Sequence, residues 1–273
     1  MRPLRISAIS FLNTAPLMWD FEHQPSAEIA ENFTIEYTVP SSCAQALREG
    51  SADIGIIPVI TTATIPDLVA IPGVAIAALG PVASISLISK VPIEQIHSVA
   101  MDTSSRTSVG LTTVLLNKFF SGLRESVPMA PQLDPMLERC EAALLIGDSA
   151  LTADTKGYYV YDLAEVWREK TGLPFVFAVW AVRRQALAEM KPGLPLAQIF
   201  QRSRDHGLEP DNMATLCRDW TAKINMSEPH IQHYLRHNIH YFLDDECRRG
   251  LSLYFRYAAE CGVIPRATDL EFL

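Results

Sequence analysis

The chain has 273 residues, of which 48% are hydrophobic and 20% charged, and its formal net charge is −8. That length supports two modest domains with a core each, in an ordinary globular composition. Its 23 basic residues face 31 acidic ones and form no basic block, which argues against a nucleic-acid or anionic membrane surface and leaves a small molecule as the expected partner; nothing in the sequence sets an oligomeric state.

In chain order, "LRISAIS" reads as a strand and enters directly, with no apolar signal core before it, so a cytoplasmic protein is expected. "NTAPLMWDF" then reads as a helix start, with Asn13 or Thr14 as cap and Pro16 in the first turn. "FTIEYTV" is the second strand. "SSCAQALREG" opens a helix in which Ser42 and Gln45 fit a capping box and Gly50 is the stop. "ADIGIIPV" is a third strand, continuous enough to be buried on both faces. This βαβαβ order predicts a parallel sheet with right-handed crossovers. Residues 68–89 carry no charge, a run long enough for a membrane span. Pro72-Gly73 and Gly80-Pro81 break it, however, and Ser84, Ser86 and Ser89 dilute it, so short buried strands separated by turns are expected.

After "VASISLISK" the pattern restarts, with "SVAMD" a strand, 105–120 a helix, "AALLIG" a strand and 162–171 a helix. "PFVFAVWAV" is a long strand, its Phe175, Phe177 and Trp180 mostly core, and the chain is mostly helical from residue 184. Asp244 or Asp245 caps the last helix, which carries Cys247, Leu251, Tyr254, Phe255 and Ala258 on one stripe. Without a Gly/Ser linker, the two α/β units read as a discontinuous pair. The chain leaves the first along 82–90 and returns along 174–183, giving lobe 1 as 1–88 and 177–273, lobe 2 as 89–176, and a ligand cleft between them. This is a type II periplasmic-binding-protein-like α/β fold, with parallel-rich sheets, a two-strand hinge and a helical C-terminus. Five scattered cysteines without a C-x-x-C pair read as reduced, mostly buried thiols.

Function is sought at the strand ends, where open α/β sheets bind ligands and helix N-termini offer free N–H groups. "VAMDTSSRTSVGL", residues 99–111, places a run of hydroxyls and Arg106 at such an end. Hydroxyls alone satisfy one another and the first helical turn. A guanidinium beside the positive end of a helix gains from an anion in between. Comparable polar ends carry Asn13 and Thr14, Ser41 and Ser42, and Gly147, Asp148 and Ser149, while Ser84 and Ser86 share one strand face. Ser41, Ser42, Ser84, Ser86, Ser105, Arg106, Thr107, Ser108, Gly147 and Asp148 are therefore the candidate binding residues for a small carboxylate. His230, His233, His237 and His240 follow at helical spacings, but no Glu or Cys completes a zinc site there, and a wet helix face is the better reading. No dinucleotide, phosphate-loop, nucleophile-elbow or zincin motif is present.

Six segments in order, "SFLNTAPL", "GSADIGIIPV", "GPVASISL", "VAMDTSSRTSV", "LLIGDSAL" and "TGLPFVFAVWA", and then "YLRHNIHYFLDDECRRGL", resemble the chorismate dehydratase family of the futalosine route to menaquinone. The likeness runs from about residue 5 to residue 264; any one motif is weak, and six in order are specific. Phe11 stands where many relatives have Tyr, which leaves the neighbouring Asn13 intact. The resemblance implies a binding-protein fold used as a hydro-lyase that removes water from chorismate to give 3-(1-carboxyvinyloxy)benzoate. Aromatisation drives the reaction, so no cofactor and no metal is expected. It also implies Asn13 as the catalytic residue. Because an amide is a poor base, two schemes follow. Either Asn13 holds the departing hydroxyl while the substrate's enolpyruvyl carboxylate takes the proton, or Asp148 is the base; the first is preferred, since a carboxylate facing a dianion is repelled. A solute receptor, which requires export, a cytosolic carboxylate sensor and the sister dihydroxynaphthoate synthase, where a cleft histidine is expected, are the alternatives.

Overall fold

The computed structural model describes residues 2–23 and 25–273. Two five-stranded mixed sheets form the frame. The first contains β1 (Leu4–Ile9), β2 (Phe33–Thr38), β3 (Ile54–Pro58), β4 (Leu68–Ala78) and β10 (Phe175–Arg183) in the order β2-β1-β3-β10-β4. The second contains β5 (Ile85–Ser89), β6 (Ser98–Asp102), β7 (Glu125–Met129), β8 (Ala142–Ile146) and β9 (Tyr159–Asp162) in the order β7-β6-β8-β5-β9. In each sheet four strands run in one direction and a strand next to a crossover is inserted antiparallel between two of them, β10 in the first and β5 in the second. The five residues of β3 and of β8 are all buried, as continuous apolar runs in strands covered on both faces should be.

The chain changes sheets over 79–84 and again over 163–174. β5 pairs only within the second sheet and β10 only within the first. The changeovers thus fall before the two expected hinge strands instead of along them, and β5 stands with the second sheet despite an expected boundary after residue 88. One carboxylate serves both crossovers. Asp162 accepts from the N–H of Ala83 at 2.6 Å and from those of Ala164 and Glu165 at 3.0 and 3.1 Å, capping the helix Leu163–Thr171. Ala83 has φ +62°, a left-handed conformation that costs an L-residue about 1–2 kcal/mol, and the Asp162 bond helps to hold it.

Local chemistry changes three further expectations. The helix expected at "NTAPLMWDF" is a 3-10 turn, Leu12–Met18, preceded by Phe11, and neither Asn13 nor Thr14 caps it. Thr14 Oγ1 instead donates to the carbonyls of Ile9 and Phe11 at 2.6 and 2.7 Å, tying the turn back to β1. The helix after β2 begins at Pro40, whose fixed φ suits a first helical position, so Ser42 lies inside it and no capping box forms; Gly50, at φ +76°, does end it. Pro72-Gly73 does not break residues 68–78, which form one strand. Gly73 has φ +77°, and register shifts against β10 absorb the irregularity.

The helical C-terminal region locks the frame. Ser203, on the helix Leu196–Leu208, donates to the Leu17 carbonyl at 2.9 Å and accepts from the Asp20 N–H at 3.0 Å. Gly207, on the same helix, lies so close to the 3-10 turn that an added Cβ would overlap the Pro16 carbonyl oxygen. The last helix, Asp245–Glu260, is capped by Asp244 and buries the expected stripe of Cys247, Leu251, Tyr254, Phe255 and Ala258. No helix among the described residues is long and apolar enough to cross a membrane.

Gly207→Ala is expected to destabilise the fold by about 2–3 kcal/mol, because backbone must move to admit the methyl. That is a Tm lower by roughly 5–10 °C in thermal melts. Gly80→Ala, where an added Cβ meets nothing within 4 Å, is the control and should leave Tm unchanged; an equal loss in both variants would refute the close-approach argument.

Candidate active site

The carboxyl ends of strands from both sheets converge on a small cavity. The turn after β1 brings Phe11 and Asn13, the start of the helix after β2 brings Pro40, and the end of β3 brings Pro58. From the second sheet come Ser105 and Ser108, after β6, and Ile146 and Gly147, at the end of β8. Ile76, Ile85 and Phe177 supply apolar wall, whereas Phe175 and Trp180 are core. The space is about 40 Å³, room for a water or two, so a ring-sized ligand enters only when the sheets part.

Asn13 is half-buried, and its Oδ1 is shielded from solvent with no hydrogen-bond partner among the described residues. Ser105 and Ser108 face each other, their hydroxyl oxygens 3.3 Å apart. Gly147 has φ +59°, and an added Cβ would meet the ring of Phe11 at 3.1 Å. The Gly147 N–H donates to the Ser84 carbonyl at 2.8 Å. Asp148 accepts from the Leu12 N–H at 3.4 Å, across the join between the sheets. Burial pushes its carboxyl above the usual range, against the smaller opposing effect of that N–H.

The other expected residues take different places. Ser84 is fully buried, and its hydroxyl faces the protein, accepting from the phenol of Tyr234 at 2.8 Å. Ser86 is buried farther along β5 and does not line the cavity. Ser41 is half-buried with its N–H on the Ser104 carbonyl at 3.1 Å, and Ser42 is exposed; their neighbour Pro40 reaches the cavity instead. Thr107 is a tie between sheets: its Oγ1 accepts from the Ile60 N–H at 3.2 Å and its carbonyl from the Tyr254 hydroxyl at 3.0 Å. Ser105 precedes the helix Arg106–Phe119 without capping it, and Ser104 turns back to Asp102. Arg106 is exposed and lines an adjoining open recess of about 540 Å³, with Thr61, Thr103 and residues 261–264. Ser105 belongs to both spaces.

Sequence reasoning missed Tyr234. The phenol is wholly buried, and burial drives it well above its ordinary range, although the Ser84 hydroxyl and the Asn13 amide oppose that shift. Its segment drew attention for histidines, read as a wet helix face, and His233 and His237 are tilted rings 4.9 Å apart. His240, Asp244 and Cys247 do bring ligand-type atoms within 4.8 Å of one another. A helix cap accounts for that grouping. Asp244 accepts from the Cys247 N–H at 2.8 Å and pairs with His240 Nε2 at 2.9 Å, while burial first, and then the charge of Asp244, push the Cys247 thiol up to about 12.

Two lobes with a cavity at their facing strand ends define a periplasmic-binding-protein-like α/β protein. The alkanesulfonate-binding protein of Xanthomonas axonopodis, solved with MOPS bound, has a TM-score of 0.70 at 17% identity, covering 99% of this chain and 96% of that one. A protein of Archaeoglobus fulgidus has a TM-score of 0.70 at 14% identity, covering 96% and 99%. These similarities establish the fold alone. A family model described as menaquinone biosynthesis matches residues 4–260, and the chain belongs to that family. The chorismate dehydratase of Thermus thermophilus is 28% identical over 272 residues, 93% of this chain and 94% of that relative.

Because burial raises the Asp148 carboxyl in the folded state, the folded protein holds that proton more tightly than the unfolded chain, and the charged form costs stability at neutral pH. Asp148→Asn keeps an oxygen for the Leu12 N–H and removes the charge. Its Tm should exceed that of the unmodified protein at pH 7, and the advantage should shrink as pH falls through the carboxylate range. Melts showing the same difference at every pH would contradict this.

Proposed function

We propose that the protein is a chorismate dehydratase of the cytoplasm, eliminating water from chorismate to form 3-(1-carboxyvinyloxy)benzoate for menaquinone biosynthesis. The observation that carries the reading is the position of Asn13. An uncharged amide on the β1 turn lines a cavity with Ser105, Ser108 and Gly147 of the opposite sheet, in a chain of the menaquinone biosynthesis family. The free cysteines support the compartment.

Chorismate loses the hydrogen at C3 and the hydroxyl at C4, and the ring becomes aromatic. The enolpyruvyl carboxylate takes the C3 proton, the C4–O bond breaks, and the departing hydroxide recovers that proton as water, so the change is redox-neutral. Asn13 donates to the leaving oxygen, and the hydroxyls of Ser105 and Ser108 offer further neutral donors. Donors fixed in a closed, low-dielectric cavity act on developing charge without reorganising. Asp148 is a weaker candidate for the base. It is absent from the cavity lining and is engaged by the Leu12 N–H. Opening between lobes divided at the crossovers admits the substrate, and Arg106, in the adjoining recess, pairs with one of its carboxylates.

Incubation of the purified protein with chorismate tests the reading: an aromatic product with vinyl proton signals should appear in NMR. Unchanged chorismate, or binding without turnover as a sensor would show, would sink it. Asn13→Ala should lower kcat by about 10²–10³ with little change in KM, as loss of one preorganised donor does. Asn13→Asp should be at least as damaging, since an ionised carboxylate cannot donate and repels the dianion; near-normal turnover in that variant would move the role of base to this position. Arg106→Ala should weaken chorismate binding by about 1.5–3 kcal/mol, roughly 10- to 150-fold, if its charge-assisted bond is direct. Unaltered affinity would assign Arg106 to the recess alone.

A further inference from the structure

The last helix, Asp245–Glu260, presents an exposed basic face that the strand-end cavity does not use. Arg248, Arg249, Ser252, Leu253 and Arg256 line an open basin of about 520 Å³ together with Leu173. At about 100° per residue these helix positions fall on one side, away from the buried stripe centred on Leu251 and Tyr254. Leu173 belongs to the second crossover, 163–174. The helix is packed hard against that crossover, since an added Cβ on Gly250 would lie 2.1 Å from the Pro174 carbonyl oxygen. The basin is thus walled by the last helix on one side and by a lobe-to-lobe connection on the other.

The three guanidinium groups in it have no acid to meet. Arg168, on the helix before the crossover, is paired with Glu246 at 2.9 Å. Asp245 stands three and four residues before Arg248 and Arg249, within helical reach of both. Yet among the described residues Arg248, Arg249 and Arg256 form no ion pair and donate no side-chain hydrogen bond, and no carboxylate lines the basin. Two of them are held by rings instead, Arg248 over Phe272 at 4.5 Å and Arg256 over Tyr257 at 5.5 Å from the ring centroids. Stacking engages the face of a guanidinium and leaves its N–H edge open to an acceptor. In a chain of net charge −8, this is a local positive field turned toward solvent.

We propose that the basin binds a small dianion carried on an apolar body, of the phenyl phosphate type, and that the bound anion braces the last helix against the second crossover. The guanidinium edges and the Ser252 hydroxyl supply donors for a phosphate, sulfonate or paired carboxylates. Leu173 and Leu253 offer apolar surface to the body of the ligand, and the volume is that of a small-molecule site. The basin shares no lining residue with the strand-end cavity or with the Arg106 recess, so the site stands apart from the dehydratase reading.

Titration of the full chain, labelled with ¹⁵N-arginine, with phenyl phosphate at constant ionic strength tests the site. The Nε–H signals of Arg249 and Arg256, identified by their loss in Arg249→Gln and Arg256→Gln proteins, should shift saturably with a Kd below about 1 mM. Inorganic phosphate should bind several-fold more weakly, for want of an apolar body. By calorimetry, the double variant Arg249→Gln/Arg256→Gln should bind phenyl phosphate about 10-fold more weakly or worse. Arg218→Gln, exposed on another helix, is the control and should bind it normally. All three substituted side chains are exposed, so Tm should not move. No saturable shift, undiminished affinity in the double variant, or an equal loss in Arg218→Gln would overturn the site. Inorganic phosphate binding as tightly would overturn the apolar body. Hydrogen exchange reads the brace: backbone amides of 171–173 should exchange more slowly with phenyl phosphate bound, and protection confined to the helix would overturn it.

Discussion

The helix Leu196–Leu208 lies against the 3-10 turn Leu12–Met18 with no room for a single methyl between them, since the Pro16 carbonyl occupies the place of a Cβ on Gly207. That contact fixes more than one loop. A 3-10 turn has poorer hydrogen-bond geometry than an α-helix and does not persist by itself. This one is held on one side by Thr14, bonded back to β1, and on the other by Ser203 and Gly207. Phe11, Leu12 and Asn13 are then presented to the second sheet as a fixed edge. Phe11 packs on Gly147 and the Leu12 N–H meets Asp148. The helical C-terminus thus sets the geometry of a turn far from it in sequence, and through that turn the geometry of the join between lobes.

The join itself is tight, and its carboxylates are held by N–H groups of the chain. Asp162 ties the two crossovers together through backbone N–H groups. Asp102 turns into its own loop, accepting from Ser104, and Asp148 is taken by Leu12. The strand-end cavity is lined by an amide, two hydroxyls and apolar walls. Such a lining costs less to desolvate than one built from ionised side chains, whose burial without a partner is expensive. Closure over a small cavity is therefore compatible with a stable protein whether or not a ligand is inside.

The sequence made the order of the central strands legible, because β1, β3, β8 and β10 are apolar runs with few interruptions. What escaped it lies at sheet edges. β7 and β9 were not anticipated, and both are edge strands with exposed or half-buried residues that lack an apolar signature. β4 was broken in two at Pro72-Gly73, yet it too is an edge strand, where a missing N–H can face away from the ladder. At the site, reading strand ends found Asn13, Ser105, Ser108 and Gly147, all of which line the cavity. Arg106 is separated from Ser105 by one helical step of about 100° and so faces the neighbouring recess, while Ser108, three residues on, returns to the same side. Tyr234 was hidden for a different reason. It arrives from a distant helical region on a π turn, whose register does not follow the 3.6-residue pattern by which helical faces are read.

An amide at the centre of the proposed dehydratase site is chemically odd until the charges of the proposed substrate are counted. Chorismate brings two carboxylates of its own. A protein carboxylate added to the same small, dry space would raise its own pKa and weaken binding, because like charges at close range in low dielectric cannot all stay ionised cheaply. A neutral donor carries no such penalty, and it suits the one event the substrate cannot manage alone, stabilising charge on the departing oxygen. In the proposed mechanism the base travels with the substrate and the leaving-group donor stays with the protein. On that division, the demand on the fold is directional: hold one amide at one angle as the lobes open and close. A neutral side chain on the β1 turn, a turn clamped at Pro16 by the close approach of Gly207, suits that demand.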